Sequence, residues 1–130
     1  GEGAGAARNE AFDILGDLLA EHEGWGQALA DLGLIQVLIQ SLQDSSTCAA
    51  ACRVLFHAMD RSSTDRISVH EGGGIPRLTT LVGTGSPQAR KFAAAALRAA
   101  CKDCPENRES VFESRGIASL VRFIIERMQA

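Results

Sequence analysis

The sequence predicts an all-α fold, a solenoid of stacked helical units, and three observations carry that reading. First, the stretch "TDRISVHEGGGIPRLTTLV" (Thr64 to Val82) returns as "ENRESVFESRGIASLVRFI" (Glu106 to Ile124). At an offset of 42, the difference between Ile75 and Ile117, Arg66 falls on Arg108, Val69 on Val111, Gly74 on Gly116 and Leu78 on Leu120. A period of that length is a repeat unit of two or three helices. Second, apolar residues recur at helical spacing, and alternating strand patterns are nearly absent. Third, aromatic content is only 5% and Tyr is absent, while Ala and Leu abound. Small residues let neighbouring helices approach closely.

The elements follow in order. Residues 1–8, "GEGAGAAR", read as a flexible leader, and 9–130 as one repeat domain. A long helix runs over 9–22 (its apolar pattern begins near Ala6), striped by Phe12, Leu15, Leu18 and Leu19. The first unit, 24–60, opens at Gly24 and Gly26 with a short helix to Asp31. Gly33 then breaks the chain before a second helix, Ile35 to Leu42. Ser and Thr in "QDSST" are placed to cap a third helix, Thr47 to Met59. The second unit, 64–103, repeats this grammar. Thr64 or Asp65 opens a short helix that Gly72 to Gly74 end, and Pro76 sits in the first turn of the next. Ser86 caps a long helix whose first residue is Pro87, running on to Lys102. A partial unit, 105–128, starts at Pro105, turns at Gly116 and closes with Ile117 to Met128.

Composition narrows the function. A net charge of −3 lacks the concentrated basic surface that phosphate binding needs, so nucleic acid is not an expected partner. No apolar run reaches the roughly 20 residues of a membrane span, and the start carries no signal-peptide pattern. Cys48, Cys52, Cys101 and Cys104 fall inside expected helices and read as reduced, small packing residues in a cytoplasmic protein, the nucleus being the secondary alternative.

The stretch "GGIPRLTTLVGTGSPQARKFAAAALRAACKDCPENRESVFESRGIASLV" resembles the armadillo repeat. Units of that family read Gly-Gly-Ile-Pro-x-Leu-Val, a Gly/Ser/Pro turn, an Ala-rich helix with an Ala-Leu pair, and Asn-Arg before the next unit. The likeness spans about residues 9–128 and is weaker at the start, where "DLGLIQVLIQSL" lacks the proline. It implies a right-handed superhelix of short, medium and long helices, whose third helices line a concave groove for an extended peptide. The family often places an Asn on that helix to hold the peptide backbone. Aligning Leu15, Leu55 and Leu97 puts Asp17, His57 and Ala99 there, so an amide ladder is missing.

Helical geometry at 100° per residue points Ala93, Ala96, Leu97 and Ala100 into the core. The opposite face then carries Lys91, Ala95, Arg98 and Lys102. The equivalent face holds Arg53, Phe56, His57 and Asp60 on the middle unit, and Asn9, Asp13, Gly16 and Asp17 on the first helix. The expected partner-binding residues are therefore Asp13, Asp17, Arg53, Phe56, His57, Lys91, Ala95, Arg98, Ala99 and Lys102. They grade from acidic through an aromatic patch to basic, which fits a partner segment of opposite polarity.

Chemistry finds little foothold. Cys48-x-x-x-Cys52 and Cys101-x-x-Cys104 lack the turns that structural zinc uses, and a redox pair needs a helix N-terminus to lower the thiol pKa. His22, His57 and His70 share no triad spacing with Ser or Asp. "HEGGG" lacks the second histidine of a zinc protease, and "GEGAGA" has neither the preceding strand nor the following Gly-Lys of a phosphate loop. His70 is expected to pack on its short helix, and Trp25 to plug a unit junction. The expectation is a non-enzymatic adaptor without cofactor or metal, binding a protein segment in its groove. Two rivals are a chaperone regulator gripping a folded domain and a regulatory part of a larger protein. The last helix, apolar on more than one side through Leu120, Val121, Phe123, Ile124 and Ile125, points to self-association as well.

Overall fold

The structure, a computed structural model, describes residues 2–22 and 24–129, and among these every regular element is a helix. A long helix α1 (Glu2–Glu21) is followed by α2 (Trp25–Asp31), α3 (Leu34–Ser41) and α4 (Cys48–Arg61). The pattern recurs in α5 (Ser63–Glu71), α6 (Gly74–Thr84) and α7 (Pro87–Cys101), and again in α8 (Pro105–Glu113) and α9 (Gly116–Gln129).

The helix boundaries show why the sequence breaks where it does. Ser86 Oγ accepts the backbone N–H of Ala89 at 3.2 Å, and Pro87 fills the first helical position of α7, as its spacing predicts. Ser62 does the same for α5, accepting from Asp65 N at 3.1 Å, so the helix starts at Ser63, ahead of the expected Thr64 or Asp65. Gly33, Gly73 and Arg115 turn the chain at one equivalent place in the three units, with φ of 80°, 73° and 59°. At Arg115 the left-handed conformation is held without glycine, at a cost of roughly 1 kcal/mol.

Three local expectations need correction. The expected leader over 1–8 is helical from Glu2 onward; Gly1 lies outside the described residues. Ala4, Ala6 and Ala7 favour a helix, Arg8 pairs with Asp44 at 3.2 Å, and Asn9 Nδ2 donates to Ser46 O at 2.7 Å. Thr47 precedes α4 but does not cap it with its side chain. Its hydroxyl is buried and donates to Ser41 O at 3.0 Å, while Asp44 holds the loop by accepting from Ser46. Cys104 is not inside a helix but precedes α8 as its cap residue.

One core runs through the molecule. Its largest wholly buried side chains include Ile35, Leu38, Leu55, Met59, Ile75 and Leu78. α4 lies between α1 and α7, its most extensive neighbour, and α6 lies between α7 and α9. The expected inward face of α7 is buried, Ala93, Ala96, Leu97 and Ala100 all being part of the core. Alanines there make the close approach of α7 to α4 feasible.

The joints between units use recurring side-chain-to-carbonyl bonds. Arg66 Nε donates to Met59 O at 2.7 Å, and its repeat partner Arg108 donates to Cys101 O at 2.9 Å. Each arginine adds a donor to a carbonyl at the end of the preceding long helix, where intrahelical donors run out.

Candidate functional site: the face of the long helices

The long helices α1, α4 and α7 stand side by side, and the candidate contact residues lie along them. Asp13, Asp17 and Arg53 come together, with Ser46, Ala50 and Phe92, around one open groove of about 620 Å³. Arg53 bridges α4 to α1: its Nη2 donates to Asp17 Oδ1 at 2.5 Å, and its Nη1 to Asp13 O at 3.4 Å. Gly16 makes this crossing feasible, because a Cβ at that position would stand 2.7 Å from Arg53 Nη1. The arginine and the acidic face of α1 are thus already paired, which shortens the charge gradient expected from the sequence.

Phe56 and His57 pack together, ring centroids 4.8 Å apart, and both are half-buried. His57 also lines a smaller depression with His22, Arg61 and Ser62 at the start of α5. Burial, followed by the charge of Arg53, lowers its pKa below the ordinary value, so its imidazole favours the neutral form. Lys91, Arg98 and Lys102 are exposed, and Ala95 is half-buried. Lys91 Nζ sits 5.7 Å from the ring centroid of Phe92. Lys102 reaches back to α4, donating to Asp60 O at 3.2 Å, beside Arg98 in a shallow pocket.

Ala99 lines the same shallow pocket but offers a partner little surface. It is only 3% exposed and sits in the core, because α7 turns that position toward its neighbours. Of the ten expected contact residues, Asp13, Asp17 and Arg53 line the groove, His57 the depression at the start of α5, and Arg98, Ala99 and Lys102 the shallow pocket, while Phe56, Lys91 and Ala95 lie along α4 and α7 outside these three. Phe92 was missed by the sequence reading; its place seven residues after the turn at Gly85 looks like an ordinary core position. Two aromatic or histidine expectations also fail. His70 is exposed, as is its repeat partner Phe112, since the short helix turns this position to solvent. Trp25 is 45% exposed and stacks on His22 at 5.4 Å rather than plugging the core.

Cys48, Cys52 and Cys104 are buried and all four thiols are free. Burial pushes the Cys52 thiol up to about 12 and raises Cys48 and Cys101 as well, so these sulfurs are poor nucleophiles. Among the described residues no three His, Cys, Asp or Glu side chains converge as metal ligands, and no helix is long and apolar enough to cross a membrane. No family model, curated protein or solved structure matches the chain.

Proposed function

We propose that this chain is a non-enzymatic armadillo-type module, a right-handed solenoid that recruits an extended segment of another protein. The observation that supports it best is the groove of α1, α4 and α7, where Asp13, Arg53 and Phe92 meet on one open face supported by a rigid core. Binding sites of this kind put charged and aromatic side chains on a stiff scaffold, so little ordering cost is incurred on association. The partner runs along the long helices, a basic stretch near Asp13 and an acidic stretch near Lys91 and Arg98. Without amides at Asp17 and His57, side chains rather than a backbone ladder set its affinity. Four free thiols suit a reducing compartment, and the cytoplasm is the proposed location.

Panning a displayed library of extended peptides on the purified chain tests this. Enriched peptides should lose binding to a variant carrying Asp13→Lys and Arg98→Glu, both exposed positions that leave the fold intact. Absence of any enrichment, or equal binding by that variant, would reject the groove.

A further inference from the structure

An acidic residue closes each of the short helices. Asp31 ends α2, Glu71 ends α5 and Glu113 ends α8. They recur at offsets of 40 and 42, the same that bring Gly33, Gly73 and Arg115 into line two residues later. All three carboxylates are exposed. Local physics argues against this choice. The last turn of a helix carries the negative end of its dipole and favours cations, whereas acids suit the first turn. Asp65 and Glu106 follow that rule in the first turns of α5 and α8. Asp31, Glu71 and Glu113 break it, once in every unit.

The fold makes little use of these three groups. Asp31 Oδ1 accepts from Gln27 Nε2 of its own helix at 3.0 Å, and among the described residues no hydrogen bond or ion pair holds Glu71 or Glu113. His70 and Arg115 are exposed on the same edge, but Glu106 and Glu109 keep it acidic on balance, and Arg108 is turned to Cys101 O. α2 packs on α5 and α5 on α8, so the carboxylates form a row at the spacing of packed helices, about 8–10 Å. Apolar side chains stand beside them: Leu32 is 81% exposed, Phe112 70% and Ile67 38%. The middle unit shows that this edge belongs to the repeat itself. α5 has a short helix on either side, yet Ile67, His70 and Glu71 stay open to solvent. Phe112 is the repeat of His70 and is exposed for the same reason.

We propose that this row of carboxylates is a docking edge for an extended basic segment of another protein, with a lysine or arginine at every third residue. A polyproline II segment turns once in three residues and rises about 3.1 Å per residue, so every third side chain points the same way at steps of about 9 Å. That step matches the row. Successive cations then face Asp31, Glu71 and Glu113, and apolar neighbours lie on Leu32 and Phe112. Each exposed ion pair contributes little alone, and the three act together because one segment links them. None of these residues lines the groove of α1, α4 and α7, so the inference holds whether or not that groove binds a peptide.

Two labelled peptides of identical composition test it by fluorescence anisotropy. One carries lysine at every third position with leucines beside them, and the other carries the same lysines in a single block. The spaced peptide should bind clearly more tightly than the block peptide. Asp31→Asn, Glu71→Gln and Glu113→Gln should each weaken it roughly two- to fivefold, and the triple variant should lose it. The variant carrying Asp13→Lys and Arg98→Glu should bind it as the parent does. Because these acids oppose the helix dipole, the triple variant should melt no lower than the parent. Equal binding of the two peptides overturns the proposal, since only net charge is then read. So does undiminished binding to the triple variant, or a triple variant that melts lower, which would make the carboxylates part of the fold. Self-association of the parent that the triple variant loses would assign the row to a second copy and overturn it too.

Discussion

Asp65 and Asn107 stand 42 residues apart at the same place in two successive units, and only Asn107 carries the donor that the place requires. Asn107 is wholly buried, and its Nδ2 donates to Ala100 O at 2.8 Å and to Arg66 O at 3.1 Å, tying a long helix to the short helices on either side of it. Asp65 is as deeply buried, the repeat of Ala100 beside it is Ala58, and among the described residues Ser62 is the one side chain that favours its charged form. An ionised carboxylate cannot donate to a carbonyl, so the joint between the first two units is weaker than the next one.

Replacing Asp65 by Asn should therefore stabilise the protein at neutral pH, by roughly 1–3 kcal/mol. Burial pushes the Asp65 carboxyl up to about 6 from the ordinary 3.8. A raised folded-state pKa means that folding takes up a proton. The contribution of this group is fullest below the unfolded value, declines as pH rises towards about 6, and is lost above it. Urea unfolding at several pH values reads both effects. The gain of Asp65→Asn should widen between pH 4 and pH 6; curves that stay parallel would show that the carboxylate is not strained.

Leu97→Ala should cost about 2–5 kcal/mol, because a buried leucine leaves a cavity in a core that relaxes only partly. Its neighbour Arg98→Glu, exposed on the opposite side, should shift the unfolding midpoint by less than about 0.5 kcal/mol. Equal effects at the two positions would contradict the assigned orientation of α7.

Gly116→Ala should destabilise, against the usual trend. Alanine in place of a helical glycine ordinarily gains about 0.5–1 kcal/mol. At Gly116 the new Cβ would fall 2.5 Å from Val111 Cγ1 and 2.7 Å from Val111 O, and the backbone cannot yield. A net loss of about 1–3 kcal/mol is expected in thermal or urea unfolding. A stabilised variant would show that α8 and α9 are less tightly joined than the structure has them.

Most of the fold was legible because it depends on signals that repeat. The offset between Ile75 and Ile117 fixed the unit length, and Ser86 with Pro87 fixed the start of α7, since capping and proline act locally. The start of α1 was not legible: Gly3 and Gly5 break the helical pattern on paper, while Arg8 and Asn9 hold the segment through Asp44 and Ser46, far away in sequence. The site was half legible. Helical phase placed Asp13, Arg53 and Arg98 on one side of their helices, yet it could not foresee that Arg53 would reach across to Asp17. Ala99 was placed on the face by the armadillo-like alignment alone, at a position where a small rotation of α7 decides between core and solvent. Trp25 and His70 were read as buried because apolar or aromatic character is the only cue to burial in a short helix with a weak pattern.

The paired state of Arg53 makes a prediction about which arginine a partner uses. A double-mutant cycle on Asp17 and Arg53 should give a coupling of only about 0.2–1 kcal/mol, shrinking in salt, because Asp17 is largely exposed. Arg53 is nonetheless held by that carboxylate and by Asp13 O, so a partner must displace these bonds to recruit it. Among the described residues Arg98 has no such bond to break. For an acidic peptide selected on the groove, Arg98→Ala should lower affinity more than Arg53→Ala, and Asp17→Ala should raise it by freeing Arg53. Fluorescence anisotropy on the three variants reads the order directly. If Arg53→Ala proves the most damaging and Asp17→Ala also weakens binding, the Asp17–Arg53 pair is itself part of the recognised surface rather than a contact that competes with it.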